Sequence, residues 1–316
     1  MNNHKIRNLV ITIIICVVLS LSLALLALIN VRKTSLSFHD EQVLTIEIES
    51  EEDIMNCLSG AYNDNLILKN DIVITHSYSI SRKDTPFSGT FKGNGYTIKI
   101  NNTVSSLFEY VAESGVIEDV TIEYTGSALD NEHGIITKEN LGTIRDINIK
   151  CNNMRIVSSR TVGGVAAINR GKIENIVCEY TFTNALYANV KNIPTIGGIC
   201  ANNYGTISNV IVYPTTNTFD FTVSSSGKGN AYIGAVYVKE NAASKVNNCY
   251  AVLDVNLVNL YDITKSGSKI IVKADITSDM LSSNDEYILI DSLPIFKTSI
   301  WEIDQNKIIM KNGDLR

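Results

Sequence analysis

A chain of 316 residues, 45% of them hydrophobic, is long enough to bury a large core. Its formal net charge is −6, and setting aside Lys5, Arg7, Arg32 and Lys33 leaves 23 basic residues against 33 acidic ones. That balance argues against a nucleic-acid partner, which needs a basic face, and against general attraction to anionic polymers.

Residues 1–8 are short and basic and read as a cytoplasmic tail. Leu9 to Ile29 runs 21 residues without a charge, enough to span a bilayer. A cleavable signal peptide has a shorter apolar core of about 7–15 residues. Residues 9–29 are therefore expected to be an uncleaved anchor, giving a single-pass cell-membrane protein with its main domain outside the cytoplasm. Residues 30–43 read as a linker, and 44–316 as one β domain with its caps. Leu44 to Ile48 alternates like a strand. Ser50 is placed as the N-cap of a short helix, with acids in its first turn, where the dipole favours them. Ile54, Met55, Cys57 and Leu58 supply its apolar face. It is expected as a lid on the open end of a stack of strands, or packed along the flank.

Strands begin at Leu66 to Ile74, and a glycine-marked corner follows at 86–98. Beyond it the chain repeats. An apolar residue recurs as Ile117, Ile144, Ile173, Ile207 and Val246, at spacings of 27, 29, 34 and 39 residues. Two places before stand Gly115, Gly142, Gly171, Gly205 and Ser244. Two places after stand Asp119, Asp146, Asn175, Asn209 and Asn248. Glycine allows a tight corner, and Asx residues tolerate the left-handed region. Stacked repeats would superpose the Asx side chains in a ladder and point the apolar residues inward. The short β-branched runs after each anchor read as strands. Late strands are expected at 269–273, 300–303 and 307–310, a short helix near 277–281, and Trp301 as a plug for the C-terminal core.

The cleanest copies are Gly163-Gly-Val-Ala-Ala-Ile-Asn-Arg-Gly-Lys-Ile173 and Gly197-Gly-Ile-Cys-Ala-Asn-Asn-Tyr-Gly-Thr-Ile207. They resemble the GLUG-type repeat of bacterial cell-surface proteins, over roughly residues 45–315. The resemblance implies an all-β fold, a right-handed parallel β-helix or solenoid, and an adhesin-like surface setting. It implies no catalytic site.

Chemistry is sparse. His4, His39, His76 and His133 are scattered, and no paired carboxylates, zinc spacing, nucleophile elbow or phosphate loop appears. The chain is therefore expected not to be an enzyme and to need no cofactor or metal. Five cysteines outside the N-terminal segment form no C-x-x-C pair and read as small buried hydrophobes. The expected function is an interaction module for an extracellular protein or glycan, with the membrane as a further partner through residues 9–29. The alternatives are a structural spacer or a polysaccharide-active enzyme. Tyr187, Tyr204, Tyr213 and Tyr232 are the candidate ligand contacts, because variable loops and amphipathic aromatics favour binding.

Overall fold

The structure is a computed structural model describing residues 43–57, 62–101, 106–128, 132–157, 161–185, 195–214, 232–234, 236–251, 280–290, 292–304 and 307–313. The chain divides into two units, Met1–Val43 and Leu44–Arg316. The anchor at 9–29, and the single-pass localisation built on it, are corrected. No helix among the described residues is long and apolar enough to cross a membrane, and residues 9–29 lie outside those described.

The described chain is mostly strand, and its main sheets are parallel. Eight strands lie side by side in sequence order: Thr45–Ile48, Asn65–Leu68, Thr90–Lys92, Val116–Thr125, Thr143–Val157, Lys172–Ala185, Thr206–Pro214 and Lys245–Ala251. A second parallel sheet orders Phe108–Val111, Thr137–Asn140, Ala166–Asn169, Cys200–Asn203 and Tyr237–Glu240. A third orders Glu132–Gly134, Thr161–Gly163, Thr195–Gly197 and Tyr232–Gly234. Neighbours within a sheet are one repeat apart in sequence. Parallel neighbours need long crossovers, and here the rest of each repeat is the crossover. The arrangement is consistent with a β-helix.

Register follows from which alternate residues are buried. Ile46, Leu66, Phe91, Ile117, Ile144, Ile173, Ile207 and Val246 pair in one row across the long sheet. Ile117, Ile144, Ile173 and Ile207 are fully buried, whereas Val246 is only partly so. Phe87, Phe91 and Phe108 fill the early repeats, with ring centroids 4.9 and 5.4 Å apart in two successive pairs.

The helix spans Glu51–Cys57. The Asp53 amide donates to Ser50 Oγ at 3.3 Å, and Asp53 Oδ2 accepts from the Ser50 and Glu49 amides. These bonds satisfy donors that a helix start leaves unpaired. Ile54 and Cys57 enter the main core. Met55 does not: it is exposed, and Leu58 lies outside the described residues.

The C-terminal segment is antiparallel, which the repeat did not foretell. Leu281–Ser283, Tyr287–Ile290 and Leu293–Lys297 form one sheet, and Trp301–Asp304 pairs with Lys307–Met310. Leu281 opens a strand, while 277–279 of the expected short helix, and 269–273, lie outside the described residues. A second core joins Ile288, Phe296, Trp301 and Ile308 to Val177 and Ile211 of the long sheet. Ile176 and Cys178 belong to the first core and Val177 to the second. The long sheet is thus buried on both faces there, as period-2 geometry allows. Trp301 is fully buried against Phe296 in this second, C-terminal core, on the outer face of the long sheet.

Candidate functional site

The corner after each anchor is built by its Asx residue. Asp119, Asp146, Asn175, Asn209 and Asn248 all have φ between 50° and 62°. Asn and Asp adopt this left-handed conformation more readily than other side chains because they bond locally. Their side chains also bond along the stack. Asn175 Nδ2 donates to Asp146 Oδ1 at 3.0 Å, Asn209 Nδ2 to Asn175 Oδ1 at 3.1 Å, and Asn248 Nδ2 to Asn209 Oδ1 at 3.1 Å. Burial pushes the Asp146 carboxyl up; Asn175, the Trp301 indole and Arg145 pull it down, and stacked Asp119 raises it again.

A second ladder lies inside the fold. Asn140, Asn169 and Asn203 are fully buried. Asn140 Nδ2 donates to Asn169 Oδ1 at 2.9 Å, and Asn169 Nδ2 to Asn203 Oδ1 at 2.8 Å. Two places on, a glycine is required by close approach rather than by positive φ. A Cβ on Gly171 would meet Gly142 O at 2.1 Å, and one on Gly205 would meet Gly171 O at 2.1 Å. Ser244 ends the column and donates from Oγ to Asn203 O at 2.9 Å.

Between that Asn and that Gly one place is free to vary: Leu141, Arg170 and Tyr204 hold it. The Arg170 guanidinium stacks 4.9 Å from the Tyr204 ring centroid and donates from Nε to Glu139 Oε1 at 2.6 Å. In this row Leu141 and Arg170 are exposed and Tyr204 is half-buried. Reading the tyrosines alone misses Arg170 and Glu139. The signal for Arg170 was a variable place bracketed by two fixed ones.

The four candidate tyrosines do not form one site. Tyr204 sits at that corner. Tyr213 is buried, because the C-terminal hairpin covers the outer face of its strand; Lys307 Nζ lies 5.5 Å from its ring centroid. Burial pushes its hydroxyl up to about 12. Tyr213 is therefore corrected from a ligand contact to a packing residue. Tyr232 is placed by its backbone on the third sheet. Tyr187 lies outside the described residues.

Other polar clusters have structural roles. Glu51 accepts from the Thr75 amide at 2.8 Å, the His76 amide at 3.0 Å and Thr75 Oγ1 at 2.9 Å, tying the helix to the strand Ile72–Ile74. Burial raises its carboxyl, but the backbone and side-chain donors of His76 and Thr75 outweigh it and bring it down to about 2. Cys57, Cys151, Cys178, Cys200 and Cys249 are free and buried. Burial pushes the Cys200 and Cys249 thiols up to about 12, far from a reactive thiolate. Among the described residues no group of three or more His, Cys, Asp or Glu could hold a metal ion.

Fold and corner together define a mostly-β protein of parallel sheets, with a variable column of Leu141, Arg170 and Tyr204 among the described residues. No family model matches the chain, and no curated protein matches it either. The chain is similar in fold to a solved structure from Bacteroides ovatus named a "putative immunoglobulin A1 protease". The TM-score is 0.54 at 16% identity, covering 86% of this chain and 93% of that one. Identity that low carries the fold alone. It still corrects one expectation. The repeat resemblance implies no catalytic site, yet a protein with an enzyme's name shares the fold, so the expectation that the chain is not an enzyme does not stand.

Proposed function

We propose that residues 44–316 form a right-handed parallel β-helix of the GLUG type, capped by the Glu51–Cys57 helix, that serves as an adhesin-like interaction module for a protein or glycan. The observation that supports this most is the column of Leu141, Arg170 and Tyr204. It stands at the one variable place of a corner whose other places are consumed by the buried Asn ladder and the glycine contacts. A contact surface held on rigid elements binds with less ordering cost. Arg and Tyr are also the side chains that most often dominate binding energy.

A second reading is proteolysis of an immunoglobulin-type substrate, favoured by the name of the Bacteroides ovatus structure. One experiment separates the two. The chain is incubated with immunoglobulin A1 and with a glycan panel, and both saturable binding and fragment appearance are measured. The interaction reading expects binding without cleavage, weakened about tenfold or more by Arg170→Ala with Tyr204→Ala. Fragments of immunoglobulin A1 would establish the second reading. Absence of any saturable ligand would leave a spacer.

A further inference from the structure

The segment from Ser77 to Arg82 runs beside Phe108–Val111, the first strand of the second sheet. Ile80 N–H donates to Leu107 O at 2.8 Å, and Glu109 N–H donates to Ser81 O at 3.3 Å. A pocket of about 270 Å3 opens there, with Tyr62, Ser77, Ser79, Arg82 and Glu109 in its lining. Tyr78 stands there too, but its ring packs on the main core and its hydroxyl is shielded, so it supplies packing and no polar contact. The volume falls below the roughly 300–1,000 Å3 of pockets that take drug-sized ligands. It holds one ring rather than a stretch of chain.

Charge decides which ring. Glu109 Oε1 is paired with Lys138 Nζ at 2.6 Å, so the carboxylate in the lining is already neutralised. Lys83 and Asp84 cancel in the turn that Arg82 and Thr85 close by exchanging backbone bonds of 3.2 Å. Glu51, whose charge reaches Tyr78, is held by the Thr75 and His76 amides and does not line the pocket. Arg82 remains: it is exposed, and among the described residues its guanidinium has no hydrogen bond or ion pair. The backbone N–H groups of Ser77, Tyr78 and Ser79 and the Ser77 hydroxyl also have no partner among the described residues. One uncompensated cation with several open donors suits an anion of two or more oxygens, and a guanidinium takes a carboxylate through two parallel bonds. The domain as a whole is acidic, with 33 acids against 23 basic residues beyond residue 33. Its field repels a polyanion and leaves a single acidic group as the fitting occupant.

We propose that this pocket binds one acidic sugar ring of the hexuronate type, its carboxylate paired with Arg82 and its hydroxyls meeting the Ser77–Ser79 donors. The proposal rests on the interaction-module reading and names its ligand class.

The test uses saturation-transfer NMR on the full chain with the methyl glycosides of glucuronic and galacturonic acid. Methyl glucoside is the neutral control, and inorganic phosphate and N-acetylglycine are competitors that carry an anion without the ring. At least one uronide should receive saturation where methyl glucoside does not, and neither competitor should displace it at equal concentration. Arg82→Ala should weaken uronide binding by about tenfold or more. Arg82→Lys keeps the charge but loses the planar fork, and should fall between that variant and wild type. Added salt should weaken binding to wild type and leave the residual binding of Arg82→Ala nearly unchanged. Arg82 is exposed and unpaired, so neither variant should lower Tm. Four results would overturn the proposal: no uronide binds, methyl glucoside binds as well, phosphate or N-acetylglycine displaces the uronide, or Arg82→Ala binds like wild type. If immunoglobulin A1 or larger glycans still bind through Arg170 and Tyr204, the pocket assignment alone falls. If nothing binds the chain at all, the interaction reading falls with it.

Discussion

Asn169 is the middle rung of the buried ladder, donating to Asn203 and accepting from Asn140. Asn169→Leu would remove both ladder bonds, but Asn140 Nδ2 keeps Gly142 O and Lys172 O as acceptors and Asn203 Oδ1 keeps the Gly205 amide as donor. Urea unfolding should therefore show a loss of roughly 1–3 kcal/mol, the net worth of the two bonds. Asp146 should behave oppositely. Its carboxyl is raised, so the folded state binds the proton more tightly than the unfolded one, and ionisation costs stability above that range. Asp146→Asn extends the amide ladder without that charge and should raise Tm at neutral pH. The gain should shrink as pH falls through the carboxylate range; a variant that melts lower at neutral pH would contradict this. The turn residues were legible because five copies agree at one place. The buried Asn was not, since Asn reads as a turn residue wherever it stands. One clue separated the two: Val111 takes the register place of Asn140 in the preceding repeat, and an apolar residue there marks an inward position.

At the scale of elements, what joins one to another decides stability. Glu51 clips the helix onto the strand Ile72–Ile74 through two backbone amides and a hydroxyl. Its folded carboxyl lies at about 2, below its ordinary 4.5. A lowered pKa contributes stability that is full above the unfolded value and is lost as pH falls through the folded one. Acid destabilisation of wild type between about pH 4.5 and 2 should therefore be blunted in Glu51→Gln, which starts less stable at neutral pH. Melting curves across that window check it; parallel acid profiles for the two proteins would exclude the clip. The helix itself was legible from its cap and acidic first turn. The C-terminal hairpin's site was not, though a trace existed. Ile176, Val177 and Cys178 run apolar without alternation, the mark of a strand covered on both faces. The sequence carries that signal but not the identity of the covering element. Lys307 pairs with Glu179 at 3.1 Å, Thr121 Oγ1 donates to Met310 Sδ at 3.7 Å, and Gly313 lies against Asn94. These contacts join positions more than a hundred residues apart, which no local pattern encodes.

At the scale of the whole domain, the proposed β-helix would have each repeat stabilised chiefly by its neighbours, so that the cost of one lesion depends on how many neighbours it has. The row from Ile46 to Val246 offers a graded test at constant chemistry. Ile173 is fully buried between Ile144 and Ile207. Val246 is partly buried at the last described strand of the row. An aspartate in place of Ile173 puts an unpaired charge into the core, and the described row offers it only apolar neighbours. The expected loss is about 4 kcal/mol or more, a large share of a domain's net stability. At Val246 water reaches the same carboxylate, and the loss should stay near 1–2 kcal/mol. Urea titrations of Ile173→Asp and Val246→Asp under identical conditions give the comparison. In a stack stabilised by nearest neighbours the inner variant loses far more. Equal losses would mean that the domain melts as one indivisible unit with the charge relaxed elsewhere. A larger loss at Val246 would mean that the strand Lys245–Ala251 is covered on its far side as completely as the inner repeats are.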